Sequence, residues 1–132
     1  MRGRAGLPGS RERYGRVIVE LFGVTSYSFD RGRVVALRGE LDASTSGELV
    51  DHLVGPPGSL VVVDLLGLTF IDSSGLGAIH AARRRVLADG GNLVVCRPNP
   101  AVLRVLEITG LDIWVTDWDP AWSNGCPQEA TT

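Results

Sequence analysis

Four residues, Leu60-Val61-Val62-Val63, constrain this chain most, being apolar, mostly β-branched and free of polar alternation. A strand of that kind is buried on both faces, which calls for neighbouring strands and covering layers. Leu93-Val94-Val95 repeats the pattern. Between the two runs, Leu76, Ile79, Ala82, Val86 and Leu87 recur at helical spacing and predict a helix over Ser74–Ala88. Arg83 falls within that apolar face and has to snorkel its guanidinium out. Gly90-Gly91 stops the helix.

The rest of the chain extends this alternation. Val17–Phe22 reads as a strand, and Tyr27–Phe29 as a segment that pairs with the chain directly after it. Asp30-Arg31-Gly32-Arg33 is a tight turn, with Gly32 suited to positive φ, and Val34–Leu37 is a strand that Gly39 stops. Ala43–Val54 fits a helix with Leu49, Val50, Leu53 and Val54 as its apolar stripe, Ser44 as N-cap and Glu48 in the first turn. Gly55-Pro56-Pro57-Gly58 ends it. Pro100–Thr109 is a short helix with Val102, Leu103 and Leu106 apolar, closed by Gly110, and Ile113-Trp114-Val115 is a last strand. The order β-β-α-β-α-β-α-β predicts an α/β fold with a mixed, mostly parallel sheet and helices packed on it.

Several functions are excluded by composition. With 132 residues, 44% hydrophobic and 21% charged, the chain fits one globular domain. No apolar run approaches the roughly 20 residues that cross a bilayer. The first 16 residues hold five arginines and no apolar block, so they are no secretory signal, and a cytoplasmic address follows. Those residues form a basic arm of net charge +4, expected to be disordered, ahead of a body of net charge −6. An acidic body is a poor nucleic-acid binder. Cys96 and Cys126 lie 30 positions apart without a CxxC pair, and His52 and His80 lie 28 apart, so neither a disulfide framework nor a metal site is expected. Cys96 reads as a small buried hydrophobe and Cys126 as a free thiol in a polar tail. No cofactor is implied.

The informative segment is Leu68-Thr69-Phe70-Ile71-Asp72-Ser73-Ser74-Gly75-Leu76-Gly77, which comes after a buried strand and opens a helix. A helix start needs one side-chain cap, yet Asp72, Ser73 and Ser74 all qualify, which leaves at least one hydroxyl exposed. Gly75 and Gly77 keep bulk low, so that another protein can approach the backbone. Taken alone, the string fits a plain cap, an anion cradle or a nucleophile. It lacks the GxxxxGK motif of phosphate-binding loops and the GxSxG of hydrolases, which weakens the last two uses and argues against an enzyme.

Gly39-Glu40-Leu41-Asp42, the Leu68–Leu76 segment, Gly90-Gly91, and Pro100-Ala101-Val102 through Thr109-Gly110-Leu111 together resemble, in order and spacing, the STAS domain of bacterial anti-sigma factor antagonists. The resemblance implies a mixed sheet with helices mainly on one face. It implies a regulator that binds an anti-sigma factor with serine kinase activity, releases a sigma factor, is switched off by phosphorylation, and is reset by a serine phosphatase. The phosphoacceptor matches Ser73. The partner-binding surface matches Asp42, Ser44, Thr45, Asp72, Ser73, Ser74, Gly75 and Gly77. The same domain also serves as a scaffold or accessory subunit of stress-signalling and lipid-transport complexes, which remains the alternative.

The resemblance covers roughly residues 34–113; residues 1–16 are expected as an arm and residues 17–118 as the domain, a monomer or weak homodimer with no membrane or direct nucleic-acid partner. Residues 119–132 form a short terminal stub and tail in place of the family's full last helix. Asp119 and Pro120 can cap and start two turns at most, and Trp118 and Trp122, four apart, are expected to patch the sheet surface that a longer helix covers.

Overall fold

The two apolar runs form adjacent strands in a computed structural model of the chain, which describes residues 22–53, 55–124 and 126–131, with side chains for 22–53 and 55–123. Five strands, β1 (Gly23–Phe29), β2 (Gly32–Leu41), β3 (Leu60–Ile71), β4 (Asn92–Cys96) and β5 (Cys126–Thr131), lie in the order β4-β3-β2-β1-β5. The helices are α1 (Ser46–Leu53), α2 (Ser73–Ala88) and α3 (Pro100–Thr109), followed by 3-10 turns at Leu111–Trp114 and Pro120–Asn124. The sheet is mixed, as expected. Strands β2, β3 and β4 are parallel, with α1 and α2 as crossovers, whereas β1 runs antiparallel to both β2 and β5.

Alternation along the strands divides the buried residues between two faces. One cluster joins Val35, Leu37, Val61, Val63, Leu93 and Val95 of the sheet to Leu49 and Leu53 of α1, Leu76, Ile79, Ala82 and Val86 of α2, and Val102 and Leu106 of α3. Each fully buried Leu or Val contributes about 1.5–3 kcal/mol, so this helix-covered face dominates stability. The opposite face buries Val34, Val62 and Cys96, with Trp118 and Trp122 packed over them. The two indoles meet edge to face at 5.3 Å, so the tryptophans do patch the sheet. Cys96 is fully buried as expected, and burial, with Asp64 nearby, pushes its thiol up to about 12.

Several expectations are corrected. Gly39 does not stop β2: it takes φ 86° inside the strand, which runs on to Leu41. The β2–β3 register shifts beside it, between Gly39 and Glu40. The Thr69 hydroxyl donates to the Gly39 carbonyl at 3.0 Å and ties this bulge down. Gly32 does not have positive φ; a side chain there would strike the Leu60 carbonyl. Helix α1 starts at Ser46, after a turn, so Ser44 is not its N-cap. Leu87 is exposed. Arg83 does not snorkel away: its Nε donates to the Leu93 carbonyl at 3.0 Å and its guanidinium lies over Trp114. Ile113-Trp114-Val115 is no strand, because a 3-10 turn buries Trp114 and exposes Ile113, leaving one bridge from Val115 to Val95. The strand expected at Val17–Phe22 lies, apart from Phe22, outside the described residues, as do the basic arm and Val54.

Candidate functional site

Strands β2 and β3 end side by side, Leu41 paired with Ile71, and each hands over to an aspartate. Asp42 and Asp72 therefore stand next to each other at the carboxyl end of the parallel strands. The Asp72 N–H donates to the Leu41 carbonyl at 3.2 Å, which ties the two exits together.

Asp72 is the N-cap of α2. Its backbone is extended (φ −117°, ψ −172°), and its Oδ1 accepts from the Gly75 N–H at 3.0 Å. With the cap supplied by Asp72, Ser73 and Ser74 occupy the first two helical positions, both exposed, with hydroxyls that make no hydrogen bond among the described residues. A phosphate on either would meet the positive end of the helix dipole. Gly75 is buried, and the space a Cβ would need is taken by the Leu41 carbonyl at 2.7 Å and Ile71 Cγ1 at 2.9 Å. Internal packing alone therefore requires glycine at this position. Gly77 is exposed, with nothing within 4 Å of the point where a Cβ would stand, so its face of α2 is open.

The Asp42 turn is built differently. Asp42 Oδ1 accepts from the Ser44 hydroxyl at 2.7 Å and from its N–H at 2.9 Å, while Thr45 Oγ1 accepts from the Asp42 N–H at 3.0 Å and donates to the Glu40 carbonyl at 3.1 Å. The Ser44 hydroxyl, then its N–H, hold the Asp42 carboxyl below the usual carboxylate range, with burial opposing and Thr45 assisting. The structure thus brings Asp42, Ser44, Thr45, Asp72, Ser73 and Ser74 to one end of the sheet.

An ion pair between Asp64 and Arg97 on the other face was not legible from the sequence. Its one local signal was the acid that interrupts the apolar run Leu60–Leu66. Among the described residues no group of three or more His, Cys, Asp or Glu could hold a metal, and no helix is long and apolar enough to cross a membrane.

A family model described as "Mlab, STAS domain" matches residues 16–116, and with it the fold just described is a STAS domain. An anti-sigma F factor antagonist of Paenibacillus polymyxa is 37% identical over 82 residues, 59% of this chain and 70% of that protein. One from Lysinibacillus sphaericus is 28% identical over 101 residues, 76% of each chain. Among solved structures, an anti-sigma factor antagonist from Mycobacterium paratuberculosis superposes with TM-score 0.64 at 26% identity, over 74% of this chain and 86% of that one. The anti-sigma factor antagonist SpoIIAA in its unphosphorylated form gives the same TM-score, 0.64, at 23% identity over 76% of this chain and 91% of its own, a likeness of fold. The chain belongs to the STAS-domain anti-sigma factor antagonist family.

Proposed function

We propose that this chain is a cytoplasmic partner switch: unphosphorylated, it binds an anti-sigma factor with serine kinase activity and so releases a sigma factor. Phosphorylation at Ser73 ends the interaction, and a serine phosphatase restores it. One observation carries the reading: Asp72 takes the cap of α2 and leaves the Ser73 hydroxyl exposed and uncommitted at the helix start. Asp42, Ser44, Thr45, Ser74 and the open Gly77 face form the surrounding contact surface, and the Gly75 backbone holds that end of α2 against β2.

Phosphoserine adds about −1.5 to −2 charges at neutral pH. On Ser73 this charge would sit beside the Asp72 carboxylate, where the α2 dipole stabilises it and leaves the fold intact. A packed interface must instead desolvate it, and a loss of about 2.7 kcal/mol there lowers affinity about 100-fold. The switch is thus a local charge event with no need for a large rearrangement.

The test is capture from native lysate with Ser73→Ala and Ser73→Asp baits in the presence of ADP, read by mass spectrometry. A small ATP-binding kinase held by the alanine form and shed by the aspartate form is the expected result. The second reading is that of an accessory or scaffold subunit of a stress-signalling or lipid-transport complex, the other use of the same domain. That reading predicts the same partners on both baits.

A further inference from the structure

The sheet face opposite the helices holds an arrangement that neither the Asp72–Ser73 tip nor stability explains. Asp64 is buried in β3, and Arg97 grips it with Nε on Oδ1 at 3.1 Å and Nη2 on Oδ2 at 2.7 Å, while the Leu66 N–H adds a bond to Oδ1 at 3.1 Å. Arg97 itself is exposed, and an ion pair with a solvent-exposed arm contributes little net stability because water screens the attraction. Arg97 also reaches Asp64 from a left-handed backbone, φ 58°, the single non-glycine residue with positive φ among those described. Such conformations are unfavourable and concentrate at functional sites.

Three side chains around this pair are aromatic. The Arg97 guanidinium lies over the Trp118 ring, 3.8 Å from its centroid. Trp118 and Trp122, meeting edge to face, do not fill the surface they cover. They leave a cleft of about 350 Å³, bordered by Tyr27, Ala36, Arg97, Trp118, Trp122 and Ser123, with Asp64 also on its wall but with both carboxylate oxygens held by Arg97. That volume falls in the range of small-molecule sites, and the lining has the usual character: aromatic walls with a few polar groups. Two donors are uncommitted. Arg97 Nη1 makes no hydrogen bond among the described residues, and Ser123 Oγ accepts from Trp118 Nε1 at 3.2 Å, which leaves its own proton to give.

We propose that this cleft binds a small planar aromatic anion, its ring against Tyr27, Trp118 and Trp122 and its carboxylate on Arg97 Nη1 and the Ser123 hydroxyl. Asp64 fixes the Arg97 fork through its two other nitrogens, so the remaining nitrogen is held ready for the ligand. The site is on the face away from α2 and does not depend on the partner-switch reading.

The test is NMR of the nitrogen-15-labelled full chain titrated with indole-3-acetate and with neutral indole. The indole N–H signals of Trp118 and Trp122 are expected to shift and that of Trp114, buried in the helix-side cluster, to stay in place. Indole-3-acetate should bind at least about tenfold more tightly than indole, a difference of about 1.4 kcal/mol. Ala36→Phe, which fills the cleft from β2, should abolish both titrations. The double variant Asp64→Asn/Arg97→Gln replaces the ions by neutral amides, so it leaves no uncompensated charge if Ala36→Phe fails to fold. It should retain indole and lose the tenfold preference. The proposal is overturned by no shift of Trp118 and Trp122 at millimolar probe, by equal shifts of all three tryptophans, by equal affinity for the two probes, or by a preference that survives in the double variant.

Discussion

The turns at Asp42 and Asp72 begin alike and end differently. Both come after parallel, paired strands, and both place an aspartate where a helix is about to start. Asp42 commits its carboxylate to Ser44 and Thr45, so the chain makes a closed turn, the Ser44 hydroxyl is consumed, and α1 begins four residues later at Ser46. Asp72 gives its carboxylate to the Gly75 N–H, so α2 begins at the next residue and two serines are left with free hydroxyls. The difference lies in the residues after the acid. A glycine three positions on lets α2 close against Leu41 and Ile71, where a side chain would be excluded. One turn is a rigid shoulder and the other presents an accessible hydroxyl.

A negative charge placed on each turn tests that distinction most strongly. Ser73→Asp should weaken binding to the proposed kinase partner about 100-fold, equivalent to about 2.7 kcal/mol, by isothermal titration calorimetry. Ser44→Asp, on the shoulder, should cost affinity much less. Equal losses at the two positions would mean that the surface responds to charge in general and that Ser73 has no special place. Next in size is Gly75→Ala, which pushes a Cβ into the Leu41 carbonyl 2.7 Å away. Overpacking of this kind costs about 1–3 kcal/mol, read as a lower urea midpoint. Gly77→Ala is the control: on the open face it should be neutral or stabilise by up to about 1 kcal/mol, since alanine is the better helix former. Should Gly75→Ala unfold no earlier than Gly77→Ala, the packing account of Gly75 fails.

How far the sequence reveals these features depends on how local their causes are. Helix α3 spans the expected Pro100–Thr109 because both its ends are set by near neighbours: the Asn99 side chain accepts from the Val102 N–H, and Gly110 closes it at φ 78°. Helix α2 is one residue longer than its pattern because Asp72, not Ser73, is the cap. The cap among three candidates is chosen by the close fit of Gly75 on β2, a contact between distant segments. The same holds for Ile113-Trp114-Val115, whose β-branched composition favours a strand. Burial of Trp114 beside Arg83 and His80 instead draws these residues into a 3-10 turn. Strand β5 contains Pro127 and Glu129 and has no strand pattern; it pairs with β1 at the sheet edge, where proline is tolerated. Asp64 and Arg97, 33 residues apart, meet only in the folded chain.

Removing each turn's aspartate separates a cap from a shoulder. Asp72→Ala deprives α2 of its only side-chain cap among the described residues and should cost about 1 kcal/mol, a typical cap loss, seen in urea unfolding. It should also speed amide exchange at Gly75, whose N–H loses its acceptor. An unchanged exchange rate at Gly75 would show that the cap does not hold the helix start.

The Asp42 turn responds most clearly to acid. Its carboxyl titrates below the ordinary value of 3.8, chiefly because the Ser44 hydroxyl donates to it. A carboxyl with a lowered pKa in the folded state adds stability that is fully present above the unfolded value. That contribution is lost as pH falls through the folded value. The turn should therefore keep its hydrogen bonds at neutral pH and down to about pH 4, and release them only in stronger acid. Ser44→Ala removes the principal donor and leaves the weaker N–H and Thr45 contacts, so it should raise the Asp42 pKa toward 3.8 and lower the urea midpoint slightly at neutral pH, where the lost contribution was present, with a smaller change in strong acid. Carbon-13 NMR titration of the side-chain carboxyls reads this directly. Ser73→Ala is the matching measurement at the other turn: the Ser73 hydroxyl donates to no described carboxylate, so its removal should leave the Asp42 titration where it was. If Ser44→Ala leaves the Asp42 titration unmoved, the Ser44 hydroxyl is as free as that of Ser73, and the ordering of the two serines as modification sites no longer has a structural basis.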